Sequence, residues 1–222
     1  MLFDLDGTLL DTAPDFARVL NGMRIEHGLP ALPYTRIRAT VSHGARALVQ
    51  LGFGVIDGEP GFAPLRSRLL ALYEAGLSLE TTPFDGIRAL LRGLGERGIA
   101  WGVVTNKPHY LARPLMAAMG LEPAAATLVC PEHVSRTKPD PEPLLLACRQ
   151  LGCAPEAAIY VGDHARDIEA GRRAGMPTVA ATWGYLTEDE SVADWGADEI
   201  ARDVPHLQQL LFDGPQTTGA SA

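Results

Sequence analysis

Short apolar runs alternate with segments of helical periodicity through most of the chain after residue 84. The runs are rich in β-branched residues, which is typical of buried strands, and they lie at residues 100–104, 126–130, 158–162 and 178–182. Apolar residues at helical spacing fill the intervals, at residues 86–97, 109–119, 142–151 and 164–174. This alternation predicts parallel strands joined by helices. After residue 182 the pattern predicts a loop and then a short helix at residues 205–212.

Between residues 12 and 79 the pattern is different, because apolar residues recur only at helical spacing. Three helices are predicted there, at residues 12–28, 35–53 and 62–76, with no strand-like alternation between them. A run of helices inside an alternating chain predicts a helical cap domain inserted after the first strand. The predicted division is a core of residues 1–11 and 83–213, a cap of residues 12–82, and a disordered tail of residues 214–222.

Two carboxylates stand where the first strand ends. The run from Met1 to Phe3 is shorter than the roughly 5 to 6 residues of a usual strand, so the pattern leaves open that the strand begins upstream. Asp4 and Asp6 follow it, and Gly7 allows the backbone to turn sharply. Two acids crowded at a strand end repel each other, and a divalent cation relieves that repulsion. Taken alone, the pair is equally consistent with an acidic turn.

The composition of the chain mainly argues against certain partners, locations and kinds of site. The 222 residues include 27 acidic residues against 19 lysines and arginines, and this net charge of −8 argues against nucleic acid or an anionic membrane as the main partner. No apolar run approaches the ~20 residues of a membrane span, and the amino terminus has no export pattern. The three cysteines form no CxxC pair, which indicates neither a disulfide framework nor a zinc site. We expect a cytoplasmic protein, for which a small anionic substrate is possible if cations receive it.

Four polar residues from separate segments fall at or after predicted strand ends: Asp4, Thr105, Lys138 and Asp163. Right-handed crossovers place parallel strands in one doubly wound, Rossmann-like α/β sheet, and ligands bind outside the carboxyl ends of such strands. Individually, Thr105 and Asp163 could be helix caps, and Lys138 a solvated loop lysine. Their joint occurrence at one edge of the sheet favours a functional site.

These residues belong to four motifs whose order and spacing resemble the haloacid dehalogenase superfamily. The motifs are Asp4-x-Asp6-Gly7-Thr8, Val104-Thr105-Asn106, Lys138-Pro139 and Gly162-Asp163 with Asp167. The resemblance covers essentially the whole chain, and the helical insert lies where that superfamily carries its first type of cap. The resemblance implies phosphoryl transfer through an aspartyl-phosphate.

The resemblance also implies a catalytic role for each of four residues. Asp4 is the expected nucleophile, and Asp6 is the expected general acid and base. Thr105 is expected to bind a phosphoryl oxygen as part of the substrate site. Lys138 is expected to bind the phosphate as well and to stabilise the charge of the transition state.

The cofactor that the resemblance implies is Mg²⁺. Its expected ligands are Asp4, Asp163 and the main-chain carbonyl of Asp6. Asp167 is expected to hold a metal-bound water or to orient Lys138. The ion would offset the repulsion between an anionic nucleophile and an anionic substrate.

The stretch Ser42-His43-Gly44-Ala45-Arg46 places polar residues and a glycine inside the second predicted cap helix. One interpretation is that His43 and Arg46 bind the remote end of the substrate, such as a carboxylate. The other is that the helix breaks or starts at Gly44 and that Arg46 is solvated.

Four further polar residues lie near the motifs. Asn106 is expected to bind substrate, and Lys107 and Asp11 to line the same space. His164 follows a predicted metal ligand directly, but we expect it to face solvent, since no cluster of histidines and cysteines indicates a transition-metal site.

Asp6 narrows the expected function further. Dehalogenases of the superfamily lack this second aspartate because no leaving alkoxide needs protonation, so Asp6 favours a phosphatase or a phosphomutase. The chain resembles the phosphoglycolate phosphatase branch, and segments 41–48, 101–108, 138–144 and 195–198 are similar to bacterial N-acetylmuramic acid 6-phosphate phosphatases of cell-wall recycling. We expect a phosphomonoesterase for one of these two substrates, as a monomer or homodimer. A β-phosphoglucomutase-like enzyme and an inactive phosphate-binding scaffold are the alternatives.

Overall fold

The computed structural model describes residues 1–187 and 190–212; the predicted disordered tail, residues 214–222, lies outside the described residues. The strands are β1 Leu2–Phe3, β2 Leu10–Asp11, β3 Thr82–Pro83, β4 Gly102–Val104, β5 Thr127–Val129, β6 Tyr160–Gly162, β7 Thr178–Ala181 and β8 Glu199–Ala201. Six of the described strands form one parallel sheet in the order β5-β4-β1-β6-β7-β8. The prediction of a doubly wound α/β core is confirmed.

The first strand is short, yet it is central. Leu2 and Phe3 pair with β4 on one side and with β6 on the other. The edge strand β8 was predicted as part of a loop, and this prediction is wrong. Glu199 and Ile200 are exposed, so the strand has no apolar run by which its sequence could be recognised.

The helices are α1 Ala13–Glu26, α2 Tyr34–Arg38, α3 Gly44–Phe53, α4 Phe62–Ala75, α5 Ile87–Glu96, α6 His109–Ala118, α7 Glu142–Leu151, α8 Ala165–Ala174 and α9 Val204–Phe212. The last five cover the two faces of the sheet. Side chains alternate in direction along each strand, so Phe3 and Val103 pack towards α5, α6 and α9, while Leu2 and Val104 pack towards α7. Among the described residues, none of the helices combines the length and apolar content needed to cross a bilayer.

Helices α1–α4 form a separate group over the carboxyl edge of the sheet. Their own apolar cluster includes Phe16, Leu48 and Tyr73, and it also contacts Leu111 of α6. The chain enters and leaves this group through an antiparallel ribbon in which Leu10 of β2 pairs with Pro83 of β3. The division of the chain into a core (1–11, 83–213) and a cap (12–82) stays a prediction.

The predicted helix at residues 35–53 is broken. The structure has α2, a 3₁₀ turn at Val41–His43, and then α3. Gly44 starts α3 with φ of 78°, a left-handed conformation that glycine adopts without strain. A Cβ at this position would meet no atom within 4 Å, so the backbone conformation, and not a close neighbour, accounts for the glycine.

Candidate active site

Lys138 lies at the centre of the polar cluster at the carboxyl edge of the sheet. Its ammonium group donates hydrogen bonds to Asp167 Oδ1 at 2.7 Å, to Tyr160 Oη at 2.7 Å and to the Val104 carbonyl at 2.9 Å. It also lies 2.9 Å from Asp4 Oδ1. Burial lowers the pKa of Lys138, but the attraction of Asp167 and Asp4 is larger and the net pKa is raised. The lysine is therefore a fixed cation beside Asp4.

Three carboxylates form a cluster that includes the two partners of this cation. Asp4, Asp163 and Asp167 each offer an oxygen, and these oxygens lie within 4.8 Å of one another. Burial, together with Asp4 and Asp167, raises the pKa of Asp163 to about 8. Burial also raises the pKa of Asp4 to about 6, although Lys138 opposes that rise. The cluster thus holds more negative charge than its one buried lysine balances.

The Asp163 carboxylate is held from several sides. Thr8 Oγ1 donates to Oδ1 at 2.8 Å, and the Tyr185 amide and Ser42 Oγ donate to Oδ2 at 3.1 and 3.3 Å. Gly7 has φ of 87°, and a Cβ there would lie 2.1 Å from Asp163 Oδ2. The turn after Asp6 therefore requires glycine both for its backbone conformation and for the approach of this carboxylate.

Asp6 is held through one oxygen. Thr12 Oγ1 donates to Asp6 Oδ1 at 2.6 Å, and Lys107 Nζ donates to the same oxygen at 2.8 Å. Lys107 is buried and also donates to Tyr73 Oη of α4 at 2.9 Å. Burial lowers the pKa of Lys107, but Asp6 and Tyr73 together outweigh that effect and the net pKa is raised. No described residue donates to Asp6 Oδ2, so that oxygen is left for a ligand.

The loop after β4 supplies two of the predicted residues. Thr105 is buried, and its Oγ1 accepts the Lys107 amide at 3.1 Å. The Asn106 side chain donates to the Lys138 carbonyl at 3.0 Å and accepts the Lys138 amide at 3.2 Å. Asn106 therefore fixes the backbone that carries Lys138.

A cleft of about 580 Å³ separates this cluster from helices α1–α4. From the core it is lined by Asp4, Asp6, Thr105, Lys107 and Lys138, and from the helices by residues that include His43, Arg46 and Arg66. A ligand in this cleft contacts the polar edge of the sheet on one side and cationic side chains on the other. Such a cavity suits a small anionic molecule.

Comparison with known proteins shows which family has this combination of fold and polar cluster. The family model of haloacid dehalogenase-like hydrolases matches residues 1–181. The chain belongs to the haloacid dehalogenase-like hydrolase family. It is 48% identical over 211 residues to the N-acetylmuramic acid 6-phosphate phosphatase of Pseudomonas aeruginosa, which covers 95% of this chain and 92% of that protein. It is 42% identical over 207 residues to a phosphoglycolate phosphatase of Xanthomonas campestris, covering 93% of each chain.

A solved structure of this hydrolase family has the same architecture. The crystal structure of a predicted phosphoglycolate phosphatase from Haemophilus somnus superposes with a TM-score of 0.84 at 25% identity, and covers 95% of this chain and 96% of that one. The prediction of this family, and of its phosphatase branch, is confirmed by the relatives.

The carboxylate cluster of this hydrolase fits a divalent cation. Carboxylate oxygens are the ligands that Mg²⁺ and Ca²⁺ prefer. Asp4 Oδ1 is buried and accepts no hydrogen bond of good geometry from the described residues, although Lys138 is close. Burial, and after it the neighbouring carboxylates, raise the pKa values of Asp4 and Asp163, so a bound cation would stabilise their ionised forms. Asp167, in contrast, is paired with Lys138 at 2.7 Å, and its role in orienting this lysine stays a prediction.

The two residues predicted to bind the remote end of the substrate differ in their surroundings. His43 packs edge to face against His164, with ring centroids 5.1 Å apart. Arg46 lines the cleft, but its side chain is 72% exposed and pairs with Asp57 at 3.2 Å.

Two expectations about neighbouring residues are wrong. His164 does not face solvent: it is partly buried, its Nδ1 accepts the Arg166 amide, and burial lowers its pKa to about 4. Asp11 does not line the cleft, because it lies on β2 and accepts a hydrogen bond from Tyr185 Oη at 2.9 Å. His164 is thus held by the backbone amide of Arg166, and Asp11 by the side chain of Tyr185, and the sequence patterns gave neither partner a role.

Sequence reasoning also missed residues that the structure brings into the site. Tyr73 and Arg66 are on α4, where helical spacing indicated only packing. Lys107 was expected near the cleft, but its contact with Asp6 was not. The signal for Lys107 was its place two residues after Thr105 at a strand end; no comparable signal marks Tyr73 or Arg66.

Proposed function

We propose that this chain is a Mg²⁺-dependent phosphatase that removes the phosphate of N-acetylmuramic acid 6-phosphate, with phosphoglycolate as the second candidate substrate. The observation that carries the proposal is the contact of Asp4 with buried Lys138 beside Asp163, in a chain 48% identical to an N-acetylmuramic acid 6-phosphate phosphatase. A cytoplasmic location and a monomeric or homodimeric state belong to the same proposal.

Asp4 acts as the nucleophile. Its carboxylate attacks phosphorus, the bond to the leaving oxygen breaks, and an aspartyl-phosphate forms. Lys138 lies 2.9 Å from Asp4, so its charge stabilises the negative charge on the transferring group. Thr105 binds a phosphoryl oxygen from the same edge.

Asp6 acts as the general acid and then as the general base. It donates a proton to the leaving oxygen and later takes one from the water that hydrolyses the aspartyl-phosphate. Thr12 and Lys107 both hold Oδ1, which leaves Oδ2 for these transfers. Lys107 is thus a positioning residue.

The carboxylates of Asp4 and Asp163, with the main-chain carbonyl of Asp6, would hold Mg²⁺. The bound ion supplies charge neutralisation between nucleophile and phosphate and orients the phosphoryl group. Asp167 keeps Lys138 in place through its 2.7 Å contact.

Residues 12–82 act as the cap of this enzyme, and residues 1–11 and 83–213 as its catalytic core. The ribbon of β2 and β3 is the connection about which the cap opens and closes. His43, Arg46 and Arg66 then face the part of the substrate beyond the phosphate.

A phosphate-release screen tests this function. The substrates are N-acetylmuramic acid 6-phosphate, phosphoglycolate, other sugar phosphates and nucleotides, each with Mg²⁺ and with EDTA. We expect Mg²⁺-dependent release, fastest with one of the first two. Conversion of β-glucose 1-phosphate to glucose 6-phosphate would instead assign a mutase, and binding of phosphate without any turnover would assign a scaffold.

A further inference from the structure

Five lysine and arginine side chains line the cleft, and they differ in what they bind. Lys138 pairs with Asp4 and Asp167, and Lys107 pairs with Asp6. Arg46 pairs with Asp57, and Arg166 donates to the Ser42 carbonyl. Within the described part of the chain, Arg66 is the one cation of the five with neither an ion pair nor a hydrogen bond.

Arg66 lies on α4, on the wall of the cleft opposite Asp4 and Lys138. The residue is partly buried, and its Nε–H is removed from solvent without an acceptor among the described residues. A buried donor of this kind destabilises a protein unless a ligand or water accepts from it. The position of Arg66 therefore calls for an acceptor from whatever fills the cleft.

A carboxylate is the acceptor that fits best. The guanidinium group presents N–H groups in a planar fork that matches the two oxygens of a carboxylate. The wall formed by the cap helices offers one unpaired cation among the described residues, Arg66. Its single charge balances that of a carboxylate but only part of the charge of a second phosphate. The core wall, with Lys138 and the proposed metal site, is where the phosphate belongs.

We propose that Arg66 binds a carboxylate at the end of the substrate remote from the phosphate and thereby makes the enzyme selective for carboxylated phosphomonoesters. This inference rests on the proposed phosphatase function. It also departs from the expectation that Arg46 has this role. Arg46 is mostly exposed and already has an anionic partner in Asp57.

Two pairs of substrates isolate the carboxylate. N-acetylmuramic acid 6-phosphate differs from N-acetylglucosamine 6-phosphate by the lactyl ether that carries the carboxylate. Phosphoglycolate differs from 2-hydroxyethyl phosphate by a carboxylate in place of an alcohol. For each substrate, kcat and KM are measured in the wild-type enzyme and in Arg66→Ala, Arg66→Lys and Arg46→Ala.

We expect Arg66→Ala to lower kcat/KM for the preferred carboxylated substrate by about 10- to 100-fold, mostly through KM. For its uncharged counterpart the change should stay below about 3-fold, because that substrate offers Arg66 no anion. Arg66→Lys should recover part of the selectivity, since it keeps the charge without the fork. Arg68→Ala is the matched control, because Arg68 is on the same helix, is half exposed and pairs with Glu26.

The outcomes separate the inference from the function on which it rests. If the wild type releases phosphate, and both Arg66→Ala and Arg66→Lys keep its preference for the carboxylated over the uncharged substrate, the inference is wrong. A selective loss in Arg46→Ala, with Arg66→Ala unaffected, would return the role to Arg46. If the wild type hydrolyses no phosphomonoester, the proposed function fails and the inference with it. Thermal unfolding of each variant identifies any loss caused by misfolding, and in that case Arg66→Lys provides the test.

Discussion

The cleft has a core wall, at the carboxyl edge of the sheet, and a cap wall, formed by helices α1–α4 and the turn before α3. The two walls hold their charged groups in different ways. On the core wall, Lys138, Asp163 and Asp167 are buried and bonded to one another or to neighbours. On the cap wall, Arg46 is exposed and Arg66 has no bonded partner among the described residues. Buried networks are rigid, whereas long side chains without partners keep their rotamer freedom. This difference supports our proposal that the chemistry takes place at the core wall and that the cap wall selects the substrate.

Several contacts join the walls, among them the hydrogen bond from Arg166 to the Ser42 carbonyl. Lys107 of the core binds Asp6 and also reaches Tyr73 of α4, and Ser42 near α3 reaches Asp163. Through these contacts the cap reaches a proposed metal ligand directly and the proposed acid by way of Lys107. Variants at these places, and in the core itself, test how far the two walls act separately.

Replacing the nucleophile should have the largest effect. Asp4→Asn keeps the shape of the side chain but removes the attacking carboxylate, so we expect kcat to fall by about 10⁴-fold or more. Single-turnover phosphate release measures the loss, and circular dichroism checks the fold. Asp85→Asn, at an exposed position, is the matched control. Turnover by Asp4→Asn at a near-normal rate would rule out the covalent mechanism.

Lys107→Met should have the next largest effect, because it removes the buried cation that holds Asp6. We expect kcat for an alkyl phosphate to fall by about 10²-fold, within the contribution of a general acid. The loss should be much smaller for p-nitrophenyl phosphate, whose leaving group needs no proton. Steady-state kinetics with both substrates make the comparison. Equal losses would show that Lys107 supports the fold and does not position the acid.

Metal binding should stabilise the fold in a pH-dependent way. Because folding raises the pKa of Asp163 from 3.8 to about 8, the metal-free fold loses stability as the pH rises through this range. Mg²⁺ at about 100 times its Kd adds roughly 2.7 kcal/mol, or about 5–10 °C in Tm for a chain of this size. We expect a larger increase at pH 8 than at pH 5.5, measured by scanning calorimetry.

Asp163→Asn is the control for the metal experiment. It removes the carboxyl whose pKa is raised and one proposed ligand, so the metal-dependent increase in Tm should largely disappear. An equal increase at both pH values in the wild type would contradict the role of Asp163.

Tyr73→Phe should have the smallest effect. It removes one hydroxyl from the cap side of Lys107 and leaves the ion pair with Asp6 intact. The loss of a single hydrogen bond, about 0.5–1.5 kcal/mol, corresponds to a decrease in kcat of roughly 2- to 10-fold. Kinetics of the Lys107→Met, Tyr73→Phe double variant show whether the two act as one unit. Additive losses would mean that the cap does not influence Asp6 through this contact.

The sequence was sufficient to predict which polar residues lie together on the core wall, because these residues follow buried strands. Parallel strands end at one edge, so Asp4, Thr105 and Asp163 had to lie together once the strands were recognised. The strand β8 escaped recognition because its residues are half exposed at the sheet edge.

The cap wall could not be predicted in the same way. Arg66 and Tyr73 lie on α4, and which of its side chains reach the cleft depends on how that helix packs against the core. Local periodicity carries no information on that packing. For the same reason the pattern suggested a solvated His164, whereas in the structure His43 packs against its ring and the Arg166 amide donates to its Nδ1.

The ribbon of β2 and β3, which joins the helical segment to the sheet, bears on how proteins of this fold evolve. Leu10 and Asp11 lie directly beside Pro83 and Thr82, so the ends of the inserted segment are neighbours in space. A segment with adjoining ends can be lengthened, shortened or exchanged without displacing the strands that carry the catalytic aspartates. Recombination at this one joint could therefore supply new substrate ranges to an unchanged catalytic sheet.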